Sequence, residues 1–261
     1  MLFRSPSLSL LIGQKKWEQY RTEKLALSTE ERLAKKSELD LKLQSARESL
    51  SEGVNATLPE EVTVDAAVSS LLLVNALLEA GDVQGAVEQL ENARLAPLDL
   101  IKQQNPLILN SKRGPAFVSE TYRTAINVYL ACLKTGNDSA AWITKAQTVL
   151  TALRQNLDSR QGINADEEMT AIYGLIAAEL RGQFESLSDP AQRMNLAKNL
   201  LMFLEPLKKS AGDARTRMWV GATLIDSGKA LQTGTAESQA LARELFASGI
   251  EALDEIGRAH V

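Results

Sequence analysis

Cysteine and histidine are nearly missing from this chain, which has one of each, Cys132 and His260. With so few, no internal disulfide forms, no Cys/His zinc set can be assembled, and Ser-His or Cys-His nucleophile pairs lack their parts. Cys132 lies within the apolar run INVYLACL, the setting of a buried structural thiol, since a nucleophile would need a basic neighbour. Aromatic residues make up only 5%. Leu and Ala dominate while Val, Ile, Tyr and Phe are sparse, a balance that favours helices over strands. An excess of positive charge is also missing: 29 Lys and Arg face 33 Asp and Glu, for a net charge of -4. Nucleic-acid phosphates require clustered cations, so a nucleic-acid partner is excluded. No apolar run approaches the roughly 20 residues of a membrane span. No phosphate-binding loop is present, because IGQKKW lacks the second Gly and the Ser or Thr that would hold magnesium.

What the 261 residues do contain is a helical hairpin. LLEAGDVQGAVEQLENARLAP, residues 77 to 97, reads as the end of one helix, a tight Gly81-Asp82 turn and a second helix running back. A lone hairpin cannot cover both of its apolar faces, so it calls for stacked neighbours. Four pairs are predicted, at 60–80 with 83–96, 116–135 with 138–157, 165–186 with 189–210, and 213–232 with 235–254. In the second helix of each pair a small residue precedes a large one by four: Ala86 and Leu90, Ala146 and Leu150, Ala197 and Leu201, Ala242 and Phe246. The small residue lets two helices approach, and the large one fills the next turn. The turns match in kind, with Gly81-Asp82, Gly136-Asn137-Asp138, Ser188-Asp189-Pro190 and Gly234-Thr235 each joining a helix stop to an N-cap.

Residues 1–58 form an N-terminal helical segment on this reading. MLFRSPSLSLLIG is too brief in its apolar patch for a signal peptide and reads as an irregular start. Ser28 and Glu31 make a capping box that starts a helix near Thr29, and Gly53 ends it. Its stripe Leu39, Leu43, Ala46 and Leu50 has the spacing of a coiled-coil seam. Two readings follow, a homodimer through residues 29–51 or an amphipathic helix packed on the first repeat, with Trp17 and Tyr20 packing locally. NATLPEE then leads into the first hairpin, with Pro59 in a first helical turn. The stretch 98–116 carries Leu107, Ile108 and Leu109 between Pro and Asn residues. It either folds back over the edge of the stack or presents a partner contact. At the other end, EIGRAHV followed by a stop has the coding pattern of read-through into a sequencing adapter. Residues 255–261, His260 among them, are therefore expected to lie outside the natural protein, whose solenoid would occupy 59–254.

Two polar groups invite a functional reading. Asp166, Glu167 and Glu168 follow Asn164 in the first turn of a predicted helix, where acids complement the helix dipole and cap it, which explains them without catalysis. Arg123, Asn127 and Lys134 form a polar stripe opposite the apolar face Val118, Tyr122, Ile126, Tyr129 and Leu133. The stripe either lines a groove or faces water.

GDVQGAVEQLENA, with its Gly-Asp turn, Ala86 and Ala93 flanking Leu90, and Pro97 closing the unit, resembles the tetratricopeptide repeat. Its first helix departs from that family, with Ser70, Val74 and Leu77 where an aromatic, a small residue and Tyr are usual. The later units are longer and divergent, their alanines 60, 51 and 45 residues apart. ETYRTAINVYLACLKTG and MTAIYGLIAAELRGQ are similar to stretches of large bacterial repeat proteins, often exported, which allows an exported or cell-envelope parent and otherwise leaves the compartment open. The resemblance implies an all-α solenoid that binds other proteins. It also places Asn75 where some tetratricopeptide domains grip a peptide backbone or carboxylate, although Leu71 replaces the accompanying Lys. The expectation is a non-catalytic scaffold without cofactor or metal, binding a protein or peptide partner through Asn75, Arg123, Asn127 and Lys134. A structural spacer that dimerises through its N-terminal helix is the alternative.

Overall fold

A computed structural model describes residues 6–58, 62–133, 139–160, 162, 164–210 and 214–258. Among these there are thirteen helices and no strand, and none of the helices is long and apolar enough to cross a membrane. The chain divides into two compact units, Met1–Val128 and Tyr129–Val261.

In the first unit, α1 (Pro6–Ala26), a short α2 (Thr29–Ala34) and α3 (Lys36–Ala56) precede α4 (Val64–Glu79). From Pro6 to Gly13 the expected irregular start is instead the first two turns of α1; residues 1–5 lie outside the described residues. Its buried face is Leu10, Gly13, Trp17 and Tyr20, a helical spacing that the glycine in its middle hides from a search for apolar residues. That glycine has a use. A Cβ on Gly13 would stand 2.8 Å from the backbone nitrogen of Leu50, and one on Gly53 2.7 Å from that of Leu10. The two helices thus approach backbone to backbone at both points, and Gly53 is a contact rather than the predicted helix stop, since α3 runs on to Ala56. The Ser28–Glu31 capping box is formed as expected. The Leu39, Leu43, Ala46 and Leu50 stripe is buried with Trp17 and Tyr20 of α1 and Leu73 and Ala76 of α4, so the seam is filled from within the chain.

Thr63 caps α4 by accepting from the N–H of Ala66 at 3.2 Å, four residues later than the sequence suggested; Pro59 lies outside the described residues. The turn into α5 (Val83–Glu91) is made as predicted. Gly81 takes φ +78, its N–H donates to Leu78 O and that of Asp82 to Leu77 O. Those two bonds satisfy the last carbonyls of α4 in the pattern that a left-handed residue after a helix permits. Asp82 then caps α5 through the N–H of Gly85 at 2.9 Å. Stretch 98–116 folds into α6 (Pro97–Lys102), α7 (Pro106–Leu109) and the start of α8 (Gly114–Leu133). Ile108 is fully buried with Leu71, Leu100 and Phe117, so this stretch folds back over α4, while Leu107 remains 67% exposed.

In the second unit the helices are α9 (Ser139–Asp158), α10 (Ala165–Ser186), α11 (Pro190–Ser210), α12 (Ala214–Leu231) and α13 (Ala236–Arg258), close to the predicted spans. Alternate helices are neighbours: α9 lies beside α11, α11 beside α13, and α10 beside α12, while α12 and α13 pair most closely. That last pair again meets through glycines, Gly221 facing Gly249 O at 2.9 Å and Gly249 facing Gly221 O at 2.9 Å from the position of a Cβ. Ala86, Ala146, Ala197 and Ala242 are all buried, as are Leu90 and Leu150. Leu201 is only half-buried; Leu200 and Leu204 do its work on α11.

Candidate functional site

The residues singled out for binding begin with Asn75 on α4. Its Nδ2 donates to Leu71 O at 3.0 Å, and its Oδ1 accepts from the Thr124 hydroxyl at 3.3 Å. Leu71, which stands where a clamp would have lysine, is 5% exposed and packs in the cluster around Ile108. Asn75 is therefore a half-buried amide bonded within the chain, and its bond to Thr124 sets α4 against α8.

On α8 the predicted polar stripe is narrower than expected. Val118, Ile126, Tyr129 and Leu133 are buried, but so are Thr121, Thr124, Ala125, Val128 and Leu130. Asn127 is exposed and Arg123 half-buried. The Arg123 guanidinium pairs with Glu120 at 3.2 Å, so one turn of the helix presents an acid, a cation and an amide. Lys134 lies outside the described residues. The structure thus brings Asn75 and Thr124 together, and places Arg123 and Asn127 one residue before and three after that threonine.

Ser70, where the tetratricopeptide pattern would have an aromatic ring, is fully buried. Its hydroxyl donates to Leu95 O at 2.7 Å and accepts from Gln89 Nε2 at 2.8 Å. A hydroxyl here ties α4 to the chain beyond α5 by hydrogen bonds instead of by ring packing. Asp166 meets Arg154 at 2.6 Å, and the Glu167 N–H donates to Asn164 Oδ1 at 3.3 Å, so two of these residues serve the helix start and a link to α9. Cys132 is buried. Among the described residues no cluster of three or more His, Cys, Asp or Glu is placed to hold a metal ion.

Sequence reasoning passed over a heavily bonded polar side chain in the second unit. Lys208 on α11 is 5% exposed at its side chain and reaches Glu205 at 3.1 Å and Glu251 of α13 at 2.5 Å. It also donates to Ser248 Oγ at 3.3 Å, which in turn donates to Glu205 Oε2 at 3.0 Å. Burial alone would lower the Lys208 pKa, but the hydrogen bonds that its ammonium donates to Glu251 and Glu205 outweigh it and raise the value above the ordinary lysine range. In the sequence this lysine is only one of the pair KK near a helix end, with nothing to mark it.

No family model, curated protein or solved structure matches the chain.

Proposed function

We propose that the chain is a non-catalytic interaction scaffold, a solenoid of divergent tetratricopeptide-like hairpins whose first helices line a groove for a peptide or protein partner. The observation that carries this reading is the Asn75–Thr124 hydrogen bond. It ties the first helix of one predicted hairpin to the first helix of the next, the neighbour relation on which such a groove depends. The alternation of α9 with α11 and of α10 with α12 supports the same stacking in the second unit.

Because Asn75 is bonded internally, ligand contact falls to Arg123 and Asn127, with Asn75 holding α8 in place. An extended segment with a carboxylate would compete with Glu120 for the Arg123 guanidinium while the exposed Asn127 amide bonded its backbone. Screening the protein against a peptide library, and then comparing it with Arg123→Ala plus Asn127→Ala, tests this. Acidic or carboxylate-terminated peptides should be selected and their binding lost in the double variant. Equal binding by parent and variant would refute the groove assignment.

A further inference from the structure

Pro206 stands inside α11, four residues before the last one. Proline has no N–H, so the Met202 carbonyl is left without its donor one turn further on, and a helix usually bends at such a point. Here the missing donor comes from another helix. The amide Nε2 of Gln147, on α9, lies 3.4 Å from Met202 O and 3.2 Å from Phe203 O. Gln147 therefore sits on the two carbonyls that an interior proline frees or strains. Immediately beyond the break, Lys208 ties the last turn of α11 to α13 through Glu251 and Ser248. Two stretches of α11 are thus bonded to different neighbours: the Met202 and Phe203 carbonyls to α9, and the turn from Glu205 to Lys208, through Ser248 and Glu251, to α13.

We infer that the break Pro206 makes between Phe203 and Glu205 is a hinge in α11, that Gln147 is the latch holding it, and that the turn from Glu205 to Lys208 moves with the α12/α13 pair as one body. Two features fit a body that turns at this point. α12 and α13 meet through Gly221 and Gly249 without room for a Cβ between them, so they keep their mutual position. Every donor of Lys208 has a partner on α11 or α13, so the turn it belongs to stays attached to α13 when the latch opens. The device does not depend on the scaffold reading; it would set the angle of the last hairpin whatever that hairpin contacts.

The test uses the coupling that this chemistry requires. In Gln147→Leu the latch is lost, and amide exchange at residues 207–210 should accelerate about five-fold, the effect of one net hydrogen bond. In Pro206→Ala the new N–H refills the Met202 carbonyl, so Gln147→Leu made in that background should change exchange less than two-fold, a bound of about that size being the measurement's resolution of a lost coupling. Spin labels at Thr148→Cys on α9 and Arg243→Cys on α13, both exposed positions, read the motion itself while the buried Cys132 stays unlabelled. The distance distribution should broaden in Gln147→Leu and narrow in Pro206→Ala. Equal acceleration by Gln147→Leu in both backgrounds, or a distance distribution that neither substitution alters, overturns the hinge.

Discussion

The same substitution, glycine to alanine, should have opposite effects at Gly53 and at Gly174. Both residues lie inside helices, α3 and α10, and alanine is favoured over glycine there by about 1 kcal/mol because it restricts the unfolded chain and costs no side-chain entropy. At Gly174 nothing stands within 4 Å of the new methyl, so that gain is the whole effect and α10 should become more stable by about 0.5–1 kcal/mol. At Gly53 the methyl would lie 2.7 Å from the Leu10 backbone nitrogen and 3.1 Å from its Cα. Backbone cannot rotate away as a side chain does, so α1 and α3 must separate by several tenths of an ångström. Leu10 and Leu50, both buried at this contact, lose part of their packing. Overpacking of this kind costs about 2–3 kcal/mol, leaving a net loss of about 1–2 kcal/mol after the propensity gain. Urea titration with pulsed hydrogen exchange, read separately on peptides of α3 and α10, measures both without assuming that the whole chain unfolds in one step. If Gly53→Ala stabilises α3 as Gly174→Ala stabilises α10, the close approach of α1 and α3 is refuted.

Two further outcomes follow from buried positions. Ala86→Leu and Ala197→Leu each place a large side chain where the alanine is wholly buried, and each should destabilise its own unit by about 1–3 kcal/mol in urea titration, with indifference to both breaking the small-then-large alignment. Lys208 titrates above the ordinary lysine value in the folded chain, so its contribution is complete below the unfolded pKa near 10.5 and is lost as the pH rises through the higher folded one. Lys208→Met should therefore cost the second unit about 1–2 kcal/mol at neutral pH, since its partner Glu251 remains largely in water. The gap between parent and variant should close above pH 10.5; a gap that stays constant to the highest pH at which both fold would show that the ion pairs contribute nothing.

Helix positions were largely legible because Gly81, Pro97, Pro190 and Gly234 punctuate long apolar periods, and caps such as Asp82 and Asn164 can be recognised by type alone. Residues 6–13 were not legible as helix, because the face that α1 buries includes Gly13, and a glycine carries no hydrophobic signal although here it meets the Leu50 backbone directly. For the same reason Gly53 looked like a stop. The width of the buried face of α8 was not legible, because Thr121 and Thr124 carry hydroxyls that an apolar period does not count, whereas both are buried and Thr124 bonds to Asn75. The Lys208 network and the Gln147 bridge join residues on α9, α11 and α13 that lie tens of positions apart in the chain, and no local pattern records such a meeting.

The glycine contact between α1 and α3 has a consequence for the growing chain. Leu10 and Gly53 lie on α1 and α3, with only the short α2 between them in the chain, so the pair can close as soon as its own residues are free of the ribosome. At about 5–20 residues per second, that is on the order of ten seconds or more before α13 is made. During that interval Leu43, Ala46 and Leu50 would otherwise face other nascent chains as a bare leucine seam. Closing α1 over them early turns a surface prone to aggregate into one that is spoken for before synthesis ends.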